Sequence, residues 1–180
     1  MMTMISKRST PMKNSGSQII LGIDPGTAIM GYGLVKRTGS KIECVDYGTL
    51  TTKSGLPEHI RLKDLYRGLD KLIKKHKPDF TAIENIFYFK NQKTIIGVAQ
   101  ARGIALLAGA QNGKECFSFT PLQIKQAVTG WGQADKKQVQ AMVKTLLRLN
   151  EIPKPDDAAD ALAVAICCAH SLNILRILKK

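Results

Sequence analysis

Negative charge is scarce in this sequence. Its 180 residues hold 14 Asp and Glu against 27 Lys and Arg, a net charge of +13 with a pI near 9.7. That imbalance favours a polyanionic partner, either nucleic acid or an anionic membrane surface. No apolar run approaches the ~20 residues of a bilayer span, so no membrane role is expected. Lys7, Arg8 and Lys13 are not followed by the apolar segment of a secretory signal, and a cytoplasmic chain is expected. Cysteine is sparse too. Cys44, Cys116, Cys167 and Cys168 show no CxxC spacing and no histidine at zinc-ligand intervals. They read as small apolar residues of a reducing compartment. His59, His76 and His170 have no triad partners by spacing. There are no internal repeats and no sign of a second domain.

What is present begins at Gln18-Ile-Ile-Leu-Gly-Ile-Asp24-Pro-Gly-Thr27. An uncharged apolar run of this kind predicts a strand buried on both faces, and Pro25-Gly26 stops it. Asp24 stands at the strand's last position, where a buried sheet presents a side chain to a ligand. Asp before Pro-Gly is also ordinary turn chemistry. The stretch resembles the phosphate loop of the actin and hexokinase ATPases as well, so alone it does not choose between a metal carboxylate and a nucleotide site.

Residues 1–17 are polar and basic and read as a flexible arm outside the fold. Residues 18–175 read as a single domain, and 176–180 as a basic C-terminal tail. Gly31–Arg37 and Lys41–Leu50 follow the first strand at short spacing, which predicts an antiparallel meander. A helix opens at Ser54–Pro57 and runs to about His76, with Leu62, Leu65, Leu69, Leu72 and Ile73 on one face. Asp79–Glu84 is a short strand that, like the first, ends in a carboxylate. Thr94–Gln111 is an apolar helix whose Gly97, Ala101, Ala105 and Ala108 suit close packing on the sheet or on another subunit. A strand at Lys114–Phe119 precedes a helix starting at Thr120-Pro121. Another runs from Asp135 to about Leu149, and a buried final helix runs from Asp157 to about Leu175, capped by Asp156. The order βββαβαβααα predicts an α/β, ribonuclease-H-like architecture: a mixed five-stranded sheet with helices on both faces.

Asp157 and Asp160 are three apart on that final helix and share a face. First-turn acids are common for dipole reasons alone. Here the rest of the helix is core, and Asp24 and Glu84 end strands expected to be neighbours. Four carboxylates gathered in this way repel one another and raise their own pKa values. Hard divalent cations resolve the repulsion, and Mg²⁺ favours few carboxylates together with water and phosphate. Two Mg²⁺ ions are the expected cofactor, suited to phosphodiester hydrolysis.

Several motifs stand in one order along the chain: Gly22-Ile-Asp24-Pro-Gly-Thr27 with Gly31-Tyr-Gly33, Ala82-Ile-Glu84-Asn-Ile-Phe87, Gln100-Ala-Arg-Gly103, Ile124-Lys125-Gln126, Lys136-Lys-Gln-Val-Gln140 and Asp157-Ala-Ala-Asp160-Ala-Leu-Ala163. Together they resemble the RuvC family of bacterial Holliday-junction resolvases over about residues 18–172. The resemblance implies that Asp24, Glu84, Asp157 and Asp160 are catalytic and hold Mg²⁺, with Mn²⁺ able to substitute. It places the family's stacking aromatic at Phe87 and its phosphate-proximal basic residues at Lys125 and Lys136. It also implies a homodimer that cuts four-way junction DNA symmetrically and works with the RuvA–RuvB branch-migration complex. The 1–17 arm extends beyond the usual family start, and Asn85 stands where many relatives carry Gln or Glu.

Read without the family, Phe87-Tyr88-Phe89 is either core filler or a base-stacking loop. Its neighbours Lys90 to Lys93 favour stacking, and Lys90 joins Phe87 among the expected DNA contacts. Lys125 and Lys136 also fit solvated helix charges, and Trp131 fits either a DNA-facing loop or a lid on the core. An RNA-processing nuclease of the same fold and a junction-binding protein that does not cut remain open. The ATPase reading lacks a second phosphate loop and a second lobe.

Overall fold

In the computed structural model, residues 16–85 and 95–177 are described. Strand β1 (Gln18–Asp24) pairs antiparallel with β2 (Ile29–Thr38), which pairs antiparallel with β3 (Lys41–Thr51). Helix α1 (Glu58–His76) then crosses to β4 (Phe80–Glu84), parallel to β1. Helix α2 (Ile95–Gln111) crosses to β5 (Glu115–Phe119), parallel to β4. The spatial order β3-β2-β1-β4-β5 is the mixed five-stranded sheet that the element order predicts. Helices α3 (Pro121–Thr129), α4 (Lys136–Leu146) and α5 (Asp156–Ile177) complete the chain.

Side chains alternate across each strand, so the sheet has two buried faces. Leu21, Ile23, Leu34 and Ile83 meet α1 and α2 on one side, where Leu65, Leu69, Ala101, Ala105 and Ala108 are buried. The small residues of α2 therefore serve its packing on this face, and Gly97 lies against Thr27. Ile20, Phe80 and Ala82 meet α5 on the other side, with α3 and α4 packed behind it. This sandwiched position explains why α5 is apolar on every side. α5 is the one described helix long and apolar enough to cross a membrane, a feature that run length alone had hidden. Its body from Ala161 to Ala169 is instead buried in the domain core.

Some boundaries differ from expectation. β2 begins two residues early, because Ile29 and Met30 already pair with β3. α4 stops at Leu146, where the chain turns through a left-handed Arg148. Asp156 is not a cap: α5 starts at Asp156 itself, and the Asp156 carboxylate is drawn to Lys136.

Candidate active site

Strand register brings the first two carboxylates together. Ile23 of β1 lies beside Ile83 of the parallel β4, so the next residues, Asp24 and Glu84, stand side by side. Both follow the alternation that points Ile20 and Ala82 toward α5, so both face that helix. Three glycines, Gly22, Gly31 and Gly33, let α5 come close enough to answer them. An added Cβ at Gly31, which pairs with Asp24 across the ladder, would overlap the carbonyl oxygen of Asp157. One at Gly22 would overlap the Ala161 carbonyl oxygen and come within 2.6 Å of the Ala165 nitrogen. At Gly33 an added Cβ would stand 2.7 Å from the Leu162 nitrogen, so Gly22, Gly31 and Gly33 together are the seat of α5. The N-terminal end of that helix carries Asp157, in its first turn, and Asp160, just after that turn, to the strand ends.

The electrostatics register the crowding. Burial, then the charges of Glu84, Asp160 and Asp157, push the Asp24 carboxyl up to about 8. Burial and the Asp160 charge raise Glu84 to about 7, against a hydrogen bond to Asp24 and the opposing charges of Lys125 and Lys136. Burial also raises Asp160, against its hydrogen bond to Lys136.

Lys136 is the cluster's internal counterion. Its Nζ lies 3.1 Å from Asp160 Oδ2 and 3.3 Å from Asp156 Oδ2. A capping box fixes it there: Gln138 N donates to the Asp135 carboxylate and Asp135 N donates to Gln138 Oε1, both at 2.9 Å. Lys136 is then the first residue of α4, aimed at the root of α5. Burial alone would lower its pKa, but the hydrogen bonds and charges of Asp160 and then Asp156 outweigh it and hold the ammonium above its ordinary value. Lys125, on α3, is near enough for its charge to stabilise ionised Glu84.

Among the described residues, no three His, Cys, Asp or Glu side chains already enclose a point where an ion would sit. The donor set still suits a hard divalent cation. Asp24 and Glu84 are adjacent carboxylates that burial and repulsion leave short of positive charge and that could serve as oxygen donors, and Mg²⁺ takes one or two carboxylates and fills its remaining positions with water and phosphate. Asp160 is engaged by Lys136 in this arrangement.

The structure thus gathers Asp24, Glu84, Asp157, Asp160, Lys125 and Lys136 at one end of the sheet. Phe87 and Lys90 lie outside the described residues. Two residues for which the sequence suggests no part in the site also bear on it. Asp156 is the second anchor of Lys136, a contact across twenty positions with no local signal. Arg102, inside the Gln100–Gly103 motif, donates through Nη2 to Asn85 Oδ1 and Ser118 Oγ, each at 2.9 Å. It ties α2 to the ends of β4 and β5 directly after Glu84. Asn85 N adds a 2.8 Å bond to Phe119 O. On the opposite side of Asp24, Arg61 Nε donates to Thr52 Oγ1 (2.8 Å), which donates to Thr27 O (2.7 Å), and this fixes the turn after β1.

A family model described as crossover junction endodeoxyribonuclease RuvC matches residues 20–168. The crossover junction endodeoxyribonuclease RuvC of Desulforamulus reducens is 58% identical over 152 residues, 84% of this chain and 93% of its own length. That of Alkaliphilus oremlandii is 53% identical over 161 residues, 89% of this chain and 98% of its own. The Thermus thermophilus RuvC structure in complex with Holliday junction substrate superposes with a TM-score of 0.82 at 30% identity, covering 87% of this chain and 96% of that one. With the carboxylate-bearing sheet and the helix seated on its glycines, these matches place the chain in the RuvC family of crossover junction endodeoxyribonucleases, which are metal-dependent nucleases.

Proposed function

We propose that this protein resolves four-way DNA junctions by hydrolysing a phosphodiester at the Asp24, Glu84, Asp157 and Asp160 cluster, with two Mg²⁺ ions per site that Mn²⁺ can replace. The observation that carries the reading is the convergence of these four carboxylates with Lys125 and Lys136 in a member of this family. When bound, divalent metal supplies an activated water and charge neutralisation at the leaving oxygen. The chain's own residues do the rest. The four carboxylates hold the cations, and Lys125 and Lys136 hold the phosphate. The net charge of +13 draws the DNA backbone in. Phe87 takes a base of the opened junction, as the family resemblance implies, and Lys90, its neighbour in a Lys-containing aromatic stretch, takes a phosphate.

Cleavage of a synthetic mobile four-way junction, set beside linear duplex with Mg²⁺ and with EDTA, tests this. Paired symmetric nicks confined to the junction and abolished by EDTA are expected. Tight junction binding without any cutting would leave a junction-shaping protein, and equal indifference to both DNAs would redirect the search to structured RNA.

Two opposed cuts call for two sites, and a homodimer supplies them. The outer face of α2 supports this: Ile96 is 69% exposed, Leu107 is 46% exposed and Gly103 faces open space, all along one stripe of a helix whose opposite face is buried. Ile96→Glu is expected to halve the mass measured in solution, and a wild-type monomer that still makes paired cuts would remove the dimer. Work with a RuvA–RuvB complex and a cytoplasmic location rest on family membership alone, and retention of this chain by a purified RuvA–RuvB–junction assembly is the test of the first.

A further inference from the structure

One exposed aromatic is left over by the site as described. Trp131 is the chain's single tryptophan, and it is 57% exposed. Tryptophan is ordinarily well buried, so an exposed one is informative. It is neither a lid on the core nor on a loose loop. Its backbone N–H donates to Thr129 Oγ1 at 3.1 Å, and its backbone carbonyl accepts from Ala134 N at 3.2 Å. Gln126 Nε2 donates to Gly130 O at 2.7 Å, and Gly130 closes α3 in the left-handed conformation with φ 76°. Ala134 is buried at the loop's root. Gly132 lies so close to α3 that an added Cβ would stand 2.6 Å from Leu122 Cδ1. The loop is therefore pinned at both ends and along its length, with the indole held outward.

Its place in the chain gives the indole a partner. Trp131 follows Lys125 by six residues and precedes Lys136 by five; Lys136 contacts Asp160, and Lys125 lies near enough for its charge to act on Glu84. Five residues of chain reach at most ~18 Å, and this stretch is folded back on itself. A strand whose phosphate meets Lys125 and Lys136 therefore has the indole within reach of its next few nucleotides. Flanking positive charge with a rigid aromatic face between is the arrangement that binds unpaired bases: a groove for the backbone and a platform for a ring. We infer that Trp131 is a stacking platform for a base of the junction strand next to the one being cut, set by the pinned Gly130–Ala134 loop between the two lysines. The inference rests on the junction-resolving reading.

The single tryptophan makes the test direct. Wild-type protein is titrated with a four-way junction in EDTA, and indole emission is followed while binding is measured independently by anisotropy of labelled DNA. Quenching that saturates together with binding is expected. Trp131→Ala is expected to weaken binding roughly tenfold, and Trp131→Phe to stay within about threefold. The slope of log affinity against log salt should be the same in Trp131→Ala as in wild type, since no phosphate contact is lost, whereas Lys125→Ala should flatten it by about one. A junction that binds while emission stays unmoved, or a Trp131→Ala protein that binds as tightly as wild type, overturns the inference and leaves the resolvase reading standing. Emission that answers a protein partner but not the junction overturns it in favour of a protein-docking patch shared with the exposed Leu122. Failure of wild type to bind the junction removes both readings.

Discussion

Asp24→Asn is expected to lower junction cleavage by roughly 10³-fold or more while junction binding survives, since a metal-polarised reaction gains several kcal/mol from its cation and each 1.36 kcal/mol is a factor of ten. The substitution is isosteric. It removes the carboxylate that stands deepest in the cluster, beside Glu84 on the neighbouring strand and opposite Asp157 on α5. The amide can still hydrogen-bond Glu84, so the strand ends and the seat of α5 keep their geometry. Lys125 and Lys136 are untouched, and one negative charge near the phosphates is gone. Affinity should therefore hold or rise slightly. Cleavage in a time course and binding by gel shift, on the same junction, separate the two effects. Loss of both together would mean that Asp24 supports the fold rather than the chemistry, and a rate within tenfold of wild type would remove it from the metal site.

The carboxylates were open to sequence reasoning because each is marked locally. Asp24 and Glu84 close apolar runs, and Asp157 and Asp160 share a helical face by their spacing of three. The sheet was legible for a similar reason: short links between the first three strands allow only a meander, and helical links to the next two demand parallel crossovers. What stayed hidden is non-local. The glycines at 22 and 31 are plain in the sequence, but only the fold shows that the α5 backbone rests on them. Asp156 has the spacing of a cap, yet a lysine twenty residues earlier claims it. Arg102 was visible only as a letter in a motif. Its grip on Asn85 and Ser118 depends on how α2 lies over the sheet. Trp131 shows the same limit, because exposure is a property of the surface and not of the residue.

Without metal, the protein is expected to lose stability as pH rises from about 5 to about 8, against the usual behaviour of paired carboxylates. Asp24 is pushed up to about 8 by burial and then by Glu84 and its other acidic neighbours, and Glu84 to about 7 by burial and then by Asp160. Ordinary values near 3.8 and 4.5 apply to the unfolded chain. Between those limits the folded state keeps protons that the unfolded state releases, so the unfolded state binds fewer and stability falls with pH. The stability is fully present below the unfolded values and is lost as pH climbs through the folded ones, on the order of a few kcal/mol for the cluster. For a chain of this length that is a fall in Tm of roughly 5–10 °C. The carboxyls of Asp70 and Asp156, lowered by Lys74 and Lys136, act only at the acid end of the scale. Melting curves in EDTA from pH 5 to 8.5 measure the slope. Asp24→Asn, which cannot ionise there, should remove most of it and be the more stable protein at pH 8. Mg²⁺ should reverse the loss in wild type, by about 2.7 kcal/mol at a hundred times its Kd, because it binds the ionised cluster and not the unfolded chain. It should do so with release of protons, seen as a binding enthalpy that changes with the buffer. A Tm flat across this range, or an equal slope in Asp24→Asn, would mean that the carboxylates are not held together as tightly as the strand register and the α5 seat require.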